Sequence, residues 1–213
     1  MKKRRIFLVI AILIFASAAY VLGWSTLFTV SAVQIQGTNA FMSSSVLVGE
    51  KLARVEPRAV AAEFEKFSWI KDAQVSRNWI SGKVTISLTE RVPVAIYNDR
   101  AIDAEGMSFP APTSGSKNLP RIQAHTIESA IAASTFFVEL PKEIADIVSL
   151  IKVRGGESYV LEIIDAGKSL EVIWGQNEEN ALKAKVYKAL LAQPENTKIY
   201  RLDLTAPHAP IVK

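Results

Sequence analysis

Residues 70–91 read IKDAQVSRNWISGKVTISLTER. In the second half Val84, Ile86 and Leu88 alternate with Lys83, Thr85, Ser87 and Thr89, the two-residue period of a strand with one buried face. Ile70 to Arg77 reads as a second strand just before it. Upstream, Pro57 sits where proline opens a helix, and Val60, Ala61, Phe64 and Phe67 give that helix one apolar face. A further helical pattern runs from Val46 to Val55 through Val46, Leu47, Leu52 and Val55. Before it, Thr29 to Gly37 alternates through Val33 and Ile35 and ends at a glycine, as a strand entering a turn does. The expected order is strand, helix, helix, strand, strand.

Downstream, a second region begins near Val92. Val94 to Tyr97, the turn Asn98-Asp99-Arg100, and Ala101-Ile102 read as strand, turn and strand, and Asp103-Ala104-Glu105-Gly106 as another turn. Pro110 to Asn118 is a loop rich in Pro, Ser and Gly. Ile127 to Leu140 is helical in pattern and Pro141 ends or kinks it. Three strand-like stretches follow, Val148–Val153, Tyr159–Ile164 and Leu170–Trp174, joined by Arg154-Gly155-Gly156 and Asp165-Ala166-Gly167. Asn177 is placed to cap a helix running to Leu191, with Glu179 and Lys183 as an i,i+4 pair. Ile199 to Leu204 is a last alternating strand before Pro207 and Pro210. A terminal strand is either an edge that a partner strand can occupy or a strand buried between neighbours, and its sequence leaves both open.

At the other end, Ile6 to Trp24 runs apolar without a charge behind Lys2, Lys3, Arg4 and Arg5. As a helix these residues span roughly 28 Å, against roughly 30 Å for a bilayer core. The basic cluster places the N-terminus in the cytoplasm and everything after about residue 25 outside. Ala16-Ser17-Ala18 also fits a cleavable signal peptide, but Tyr20, Val21, Leu22 and Trp24 carry the apolar run past that point, which suits an anchor better. Of 25 basic residues the N-terminal cluster holds four, leaving 21 against 21 acidic ones. That balance gives no sequence-wide field for nucleic acid.

The 213 residues contain no Cys and two His, which excludes disulfides, thiolate metal sites and cysteine nucleophiles. His125 and His208 read as surface residues, and Asp103 with Glu105 as a polar turn rather than an acid and base pair. Gly155-Gly156 lacks the Lys and helix start of a phosphate loop. Phe67, Trp69 and Trp79 could form a stacking platform, but their places at a helix exit and beside strand starts suit packing of helix on sheet. The sequence therefore offers no catalytic residue, no metal ligands, no cofactor and no small-molecule substrate.

Several phrases resemble the FtsQ/DivIB family of bacterial cell-division proteins. They are Val33-Gln34-Ile35-Gln36-Gly37 followed by Asn39; Phe67-Ser68-Trp69-Ile70-Lys71-Asp72-Ala73-Gln74-Val75 with Arg77 and Trp79; Glu90-Arg91-Val92-Pro93-Val94-Ala95; Ile102-Asp103-Ala104-Glu105-Gly106; and Leu119-Pro120. Ile80 stands where the family commonly has Pro, and the segment before the apolar run is unusually short. The resemblance implies an α+β fold: a cytoplasmic segment at 1–5, one transmembrane helix at 6–24, a POTRA domain of order β-α-α-β-β at 30–91, a mainly antiparallel β domain with flanking helices at 92–206, and a tail at 207–213. Glu90, Arg91 and Pro93 would mark the interdomain junction, where proline cannot donate a ladder hydrogen bond.

The resemblance further implies a non-enzymatic scaffold, single-pass in the cytoplasmic membrane at the division septum, linking early and late division components. Its implied partners are small coiled-coil proteins of the FtsB/DivIC and FtsL types, with other division proteins. In that family the partner adds a strand beside the final strand. Here that assigns Ile199, Tyr200, Arg201, Leu202, Asp203 and Leu204 to strand addition and favours an exposed edge. The alternative is a POTRA protein of envelope transport or outer-membrane assembly, which would carry repeated POTRA units or a long barrel.

Overall fold

The computed structural model describes residues 2–23, 28–112, 118–165 and 167–213. The chain divides into two compact units, Met1–Arg91 and Val92–Lys213. Trp24, the expected end of the apolar run, lies outside the described residues, as do 113–117 of the expected loop and Ala166 of one expected turn.

The first unit starts with helix α1, Lys2–Gly23. Ile6, Phe7, Ile10, Leu13, Ile14 and Phe15 are all exposed on it, so it is apolar around its circumference rather than along one stripe. Among the described residues no helix is long and apolar enough to cross a membrane. The side chains described in the apolar run of α1 stop at Val21, short of the full run in the sequence.

Strands β1 (Ala32–Gln36), β2 (Ile70–Arg77) and β3 (Lys83–Glu90) form a three-stranded sheet in the order β1-β3-β2. β1 runs parallel to β3, with Val33 opposite Val84 and Ile35 opposite Ile86, and β2 is antiparallel to β3. A parallel pair needs a crossover, and helix α2 (Pro57–Glu65), with proline in its first turn, lies within it. Val60 and Phe64 of α2 pack with Ile70, Ala73, Val84, Ile86 and Leu88 in one core. Gly37 ends β1 at a φ of +90°, and a Cβ there would lie 1.9 Å from the Leu88 carbonyl oxygen.

The expected helix over Val46–Val55 does not form, so the order is β-α-β-β rather than β-α-α-β-β. Backbone pairing explains why. The Val30 N–H donates to Glu50 O (2.7 Å), the Gly49 N–H to Val30 O (2.8 Å) and the Leu52 N–H to Phe28 O (3.1 Å), so these groups serve the incoming chain instead of a helical ladder. Gly49 is at φ +91°, outside the helical region. The apolar residues divide accordingly: Val46, Leu52 and Val55 are buried, while Leu47 and Val48 are exposed.

The second unit is built on a nine-stranded sheet in the order β12-β11-β10-β9-β8-β7-β4-β5-β6. Its strands are β4 (Pro93–Tyr97), β5 (Arg100–Asp103), β6 (Ser108–Pro110), β7 (Arg121–Gln123), β8 (Val148–Arg154), β9 (Ser158–Asp165), β10 (Lys168–Gly175), β11 (Arg201–Asp203) and β12 (Ile211–Val212). Most neighbours are antiparallel, but β4–β7, β7–β8 and β10–β11 are parallel. All three need crossovers: β5 and β6 lie in the first, and the helices fall in the other two, with α3 (Ile127–Glu139) and α4 (Lys142–Ala145) between β7 and β8, and α5 (Asn180–Leu191) between β10 and β11. Ala130, Ala133 and Phe136 of α3 and Ala184 and Tyr187 of α5 join Ile151, Leu161, Trp174 and Leu202 of the sheet in one core. The Phe136 and Tyr159 rings stack at 4.1 Å.

Asn177 does not cap α5. Glu179 occupies the cap in the left-handed region without a side-chain bond, and Asn177 Oδ1 instead accepts from Asn180 Nδ2 (2.7 Å). Nor do Glu179 and Lys183 form a surface pair, because Lys183 is buried and its Nζ donates to Gln176 O (2.9 Å).

Candidate functional site

Of the residues assigned to partner binding, Arg201, Leu202 and Asp203 form β11, and Ile199, Tyr200 and Leu204 flank it. β11 comprises Arg201–Asp203 and pairs on one side with β10 in parallel, with Arg201 opposite Glu171, Val172 opposite Leu202 and Ile173 opposite Asp203. On its other side lies β12, antiparallel, with Leu202 opposite Val212 and Asp203 opposite Ile211. The expectation of a free edge at Ile199–Leu204 is therefore corrected: β11 is an inner strand, and the sheet edge is β12. Sequence reading missed β12 because two residues between Pro210 and Lys213 carry no periodicity, and the flanking prolines read as a tail.

The six assigned residues divide by burial. Leu202 and Leu204 are fully buried core residues, and the Leu204 N–H donates to Ile173 O (2.8 Å). Ile199 is half-buried against the same core. Tyr200 is 67% exposed, its N–H donates to Lys213 O (3.0 Å), and its carbonyl accepts from Glu171 N–H (3.0 Å). Arg201 and Asp203 are half-buried; Asp203 Oδ1 accepts from the Thr205 N–H (3.0 Å). Arg201 Nε lies 3.3 Å from Glu171, Glu171 lies 3.8 Å from Lys152, and Lys152 lies 2.5 Å from Glu162. Across β8, β9, β10 and β11 the row thus runs Lys152, Glu162, Glu171, Arg201, with two cations flanking the directly opposed carboxylates of Glu162 and Glu171. Each of these part-exposed pairs adds little stability, and the row marks a polar sheet face.

Asp103 Oδ1 accepts from the N–H groups of Glu105 (3.1 Å) and Met107 (2.7 Å), the bonding of a polar turn. Thr126 caps α3, its Oγ1 accepting from the Ser129 N–H (3.2 Å), and His208 stands exposed 3.9 Å from Glu179. His125 lies in a shallow cleft with Glu128, Arg154 and Tyr159. Among the described residues no group of three His, Asp or Glu could hold a metal ion.

Phe67, Trp69 and Trp79 do not form one platform. Phe67 and Trp69 precede β2 with ring centroids 6.2 Å apart, whereas Trp79 follows it, edge-on to Phe28 at 6.1 Å and under the Arg77 guanidinium. Eight strand residues separate them, roughly 26 Å. At the junction, Arg91 belongs to the first unit, its N–H donating to Trp69 O and its Nε to Ser68 O, while Pro93 opens β4 in the second. Arg4 is exposed; the side chains of Lys2, Lys3 and Arg5 lie outside the described residues.

Sequence reading gave no sign of two buried polar residues. Burial lowers the pKa of Lys183, against the opposing pull of Glu178 and Glu179. Burial, with Asp165 adding to it, pushes the Tyr187 hydroxyl up to about 12, and its oxygen has no hydrogen-bond partner among the described residues.

The first unit matches the model of the POTRA domain, FtsQ-type, over residues 28–91, and the second that of cell division protein FtsQ/DivIB, C-terminal, over residues 91–205. The chain belongs to the FtsQ/DivIB family of cell division proteins. Among relatives, the cell division protein FtsQ of Streptomyces venezuelae is 29% identical over 225 residues, covering 93% of this chain and 79% of its own. That of Streptomyces bingchenggensis is 28% identical over 236 residues, covering 99% and 86%. The FtsQ of Salinibacter ruber is 26% identical over 179 residues, covering 73% and 69%. The family assigns the chain a division role and protein partners in division.

Proposed function

We propose that this chain is a non-enzymatic scaffold of the division machinery, held in the cytoplasmic membrane by α1, with Lys2, Lys3, Arg4 and Arg5 on the cytoplasmic side and both folded units outside. Support for the anchor comes from the uncharged run Ile6–Trp24, long enough for a bilayer core, and from apolar side chains exposed around α1. Its partners in this reading are small coiled-coil division proteins of the FtsB/DivIC and FtsL types, gathered at the septum so that early and late components are linked.

The partner adds a strand beside β11. The observation that carries this is the slightness of what covers β11: β12 has two residues, bordered by Pro210. A longer partner strand forms more backbone bonds than β12 and displaces it, so that the Tyr200 and Arg201 N–H groups exchange Lys213 O for a partner carbonyl. Recognition then falls to Tyr200, Arg201 and Asp203, while Leu202 and Leu204 keep the strand in the core. A photo-crosslinker replacing Tyr200 in dividing cells is expected to capture a small membrane protein, and one replacing Met107, beside the opposite edge strand β6, is not. Absence of any adduct from position 200 in cells that divide normally overturns the assignment.

A further inference from the structure

The loops at one end of the first unit carry apolar side chains that its core does not use. Ile80 is fully exposed at 100%, and Leu47 and Val48 are 69% and 68% exposed. Isolated exposed aliphatics are ordinary, but these share one end of the unit. The Ser31 N–H donates to Gly82 O and Ala32 pairs with Lys83, which puts the 78–82 turn beside the start of β1. Thr29 pairs with Lys51 and Val30 with Gly49 and Glu50, which puts the 47–50 turn beside the same few residues. Phe28 touches Trp79 there.

Both turns are braced. Asn78 Oδ1 accepts from the Ile80 and Ser81 N–H groups, and the Gly82 N–H closes the turn on Asn78 O. In the other turn the Glu50 N–H donates to Leu47 O, and Glu50 Oε2 accepts from the Leu47 N–H (3.4 Å). The bracing holds the aliphatic tips outward and turns the one carboxylate of the second loop back onto its own backbone.

This end is also where the chain arrives from α1. Gly23 and Phe28 are five residues apart, at most about 18 Å even if fully extended. If α1 is the anchor, Phe28 is tethered within that distance of the bilayer surface, and so is the end of the unit built around it. We propose that the first unit rests on the lipid bilayer through Leu47, Val48 and Ile80, with Trp79 behind them as an interfacial aromatic. The contact fixes the unit's orientation above the membrane. It rests on the anchor reading and adds to it a second, peripheral attachment.

The cysteine-free chain makes the test direct. The full chain is reconstituted in vesicles of phosphatidylcholine and phosphatidylglycerol, with an environment-sensitive fluorophore on Ile80→Cys, on Ile14→Cys within α1, or on Glu90→Cys, exposed at the far end of β3. Nitroxide-bearing lipids serve as quenchers. The expected result is a blue shift and loss of emission at positions 14 and 80, with neither at 90. Quenching at 14 but not at 80 overturns the docking and leaves the anchor intact. No quenching at 14 overturns the anchor reading and the docking with it. Quenching at 90 equal to that at 80 overturns the assignment to this end of the unit.

Discussion

Deleting Ile211–Lys213 removes the cover of β11, and the cost can be worked from the bonds lost. Besides its antiparallel ladder pairing of Ile211 with Asp203 and Val212 with Leu202, the segment supplies Tyr200 N–H to Lys213 O at 3.0 Å, Arg201 N–H to Lys213 O at 3.2 Å and Lys213 N–H to Arg201 O at 2.9 Å. At a net 0.5–1.5 kcal/mol each, near the low end for exposed bonds, ladder and flanking bonds together contribute about 2–3 kcal/mol. Val212 is half-buried against the core and Ile211 is 56% exposed, which adds about 1–2 kcal/mol of apolar burial. Against this, ordering three residues costs about 3–5 kcal/mol. The sum is near zero, so the deletion is expected to change stability by no more than about 1 kcal/mol in urea denaturation of the full chain in detergent. Capture of the division partner is expected to rise, because the partner no longer competes with β12. A loss above about 3 kcal/mol would refute the reasoning by making β12 integral to the sheet. Loss of capture with the fold intact would mean that the partner pairs with β12 itself.

Leu202→Ala is expected to cost about 2–5 kcal/mol, as a fully buried leucine does, and Leu202→Pro to unfold the second unit, both read by denaturation; a folded proline variant contradicts the inner position of β11. Gly37→Ala places a Cβ against a backbone oxygen at a positive φ, where no side-chain rotation relieves the clash, and a loss of about 2–4 kcal/mol is expected in urea denaturation. Tyr187→Phe is expected to be neutral or to stabilise by up to about 1 kcal/mol, because it removes a buried hydroxyl without a partner. The same variant tests linkage. With the folded value raised to about 12 and the unfolded near 10, the stability that Tyr187 contributes is complete below pH 10 and is lost as pH rises towards 12. Denaturation across that window should fall more steeply for the parent than for the Phe variant, and parallel curves would refute the assignment.

The first sheet was legible because its signals are local. Val84, Ile86 and Leu88 point inward in strict alternation, and β2 stands where periodicity puts a strand, while in the second sheet only Arg201–Asp203 of the expected strand 199–204 forms one. What escaped depends on pairing at a distance. Leu47 and Val55 fit a helical spacing, but Phe28 and Val30 take the backbone bonds that helix needs, and Gly49 is the one local sign of a break. β7 and β12 are three and two residues long, too short for a period, and exist because β8 and β11 offer them open ladders. The candidate site shares this weakness. Its strand could be named from the sequence, but whether it formed an edge depended on residues beyond Pro207 and Pro210 that read as a tail.

The most direct test of the division role is imaging of growing cells in which the chain carries an N-terminal fluorescent fusion at its native level. The account predicts a band at mid-cell in constricting cells, lost when the small coiled-coil partner is depleted. A uniform rim around the cell, unchanged through constriction, would contradict it.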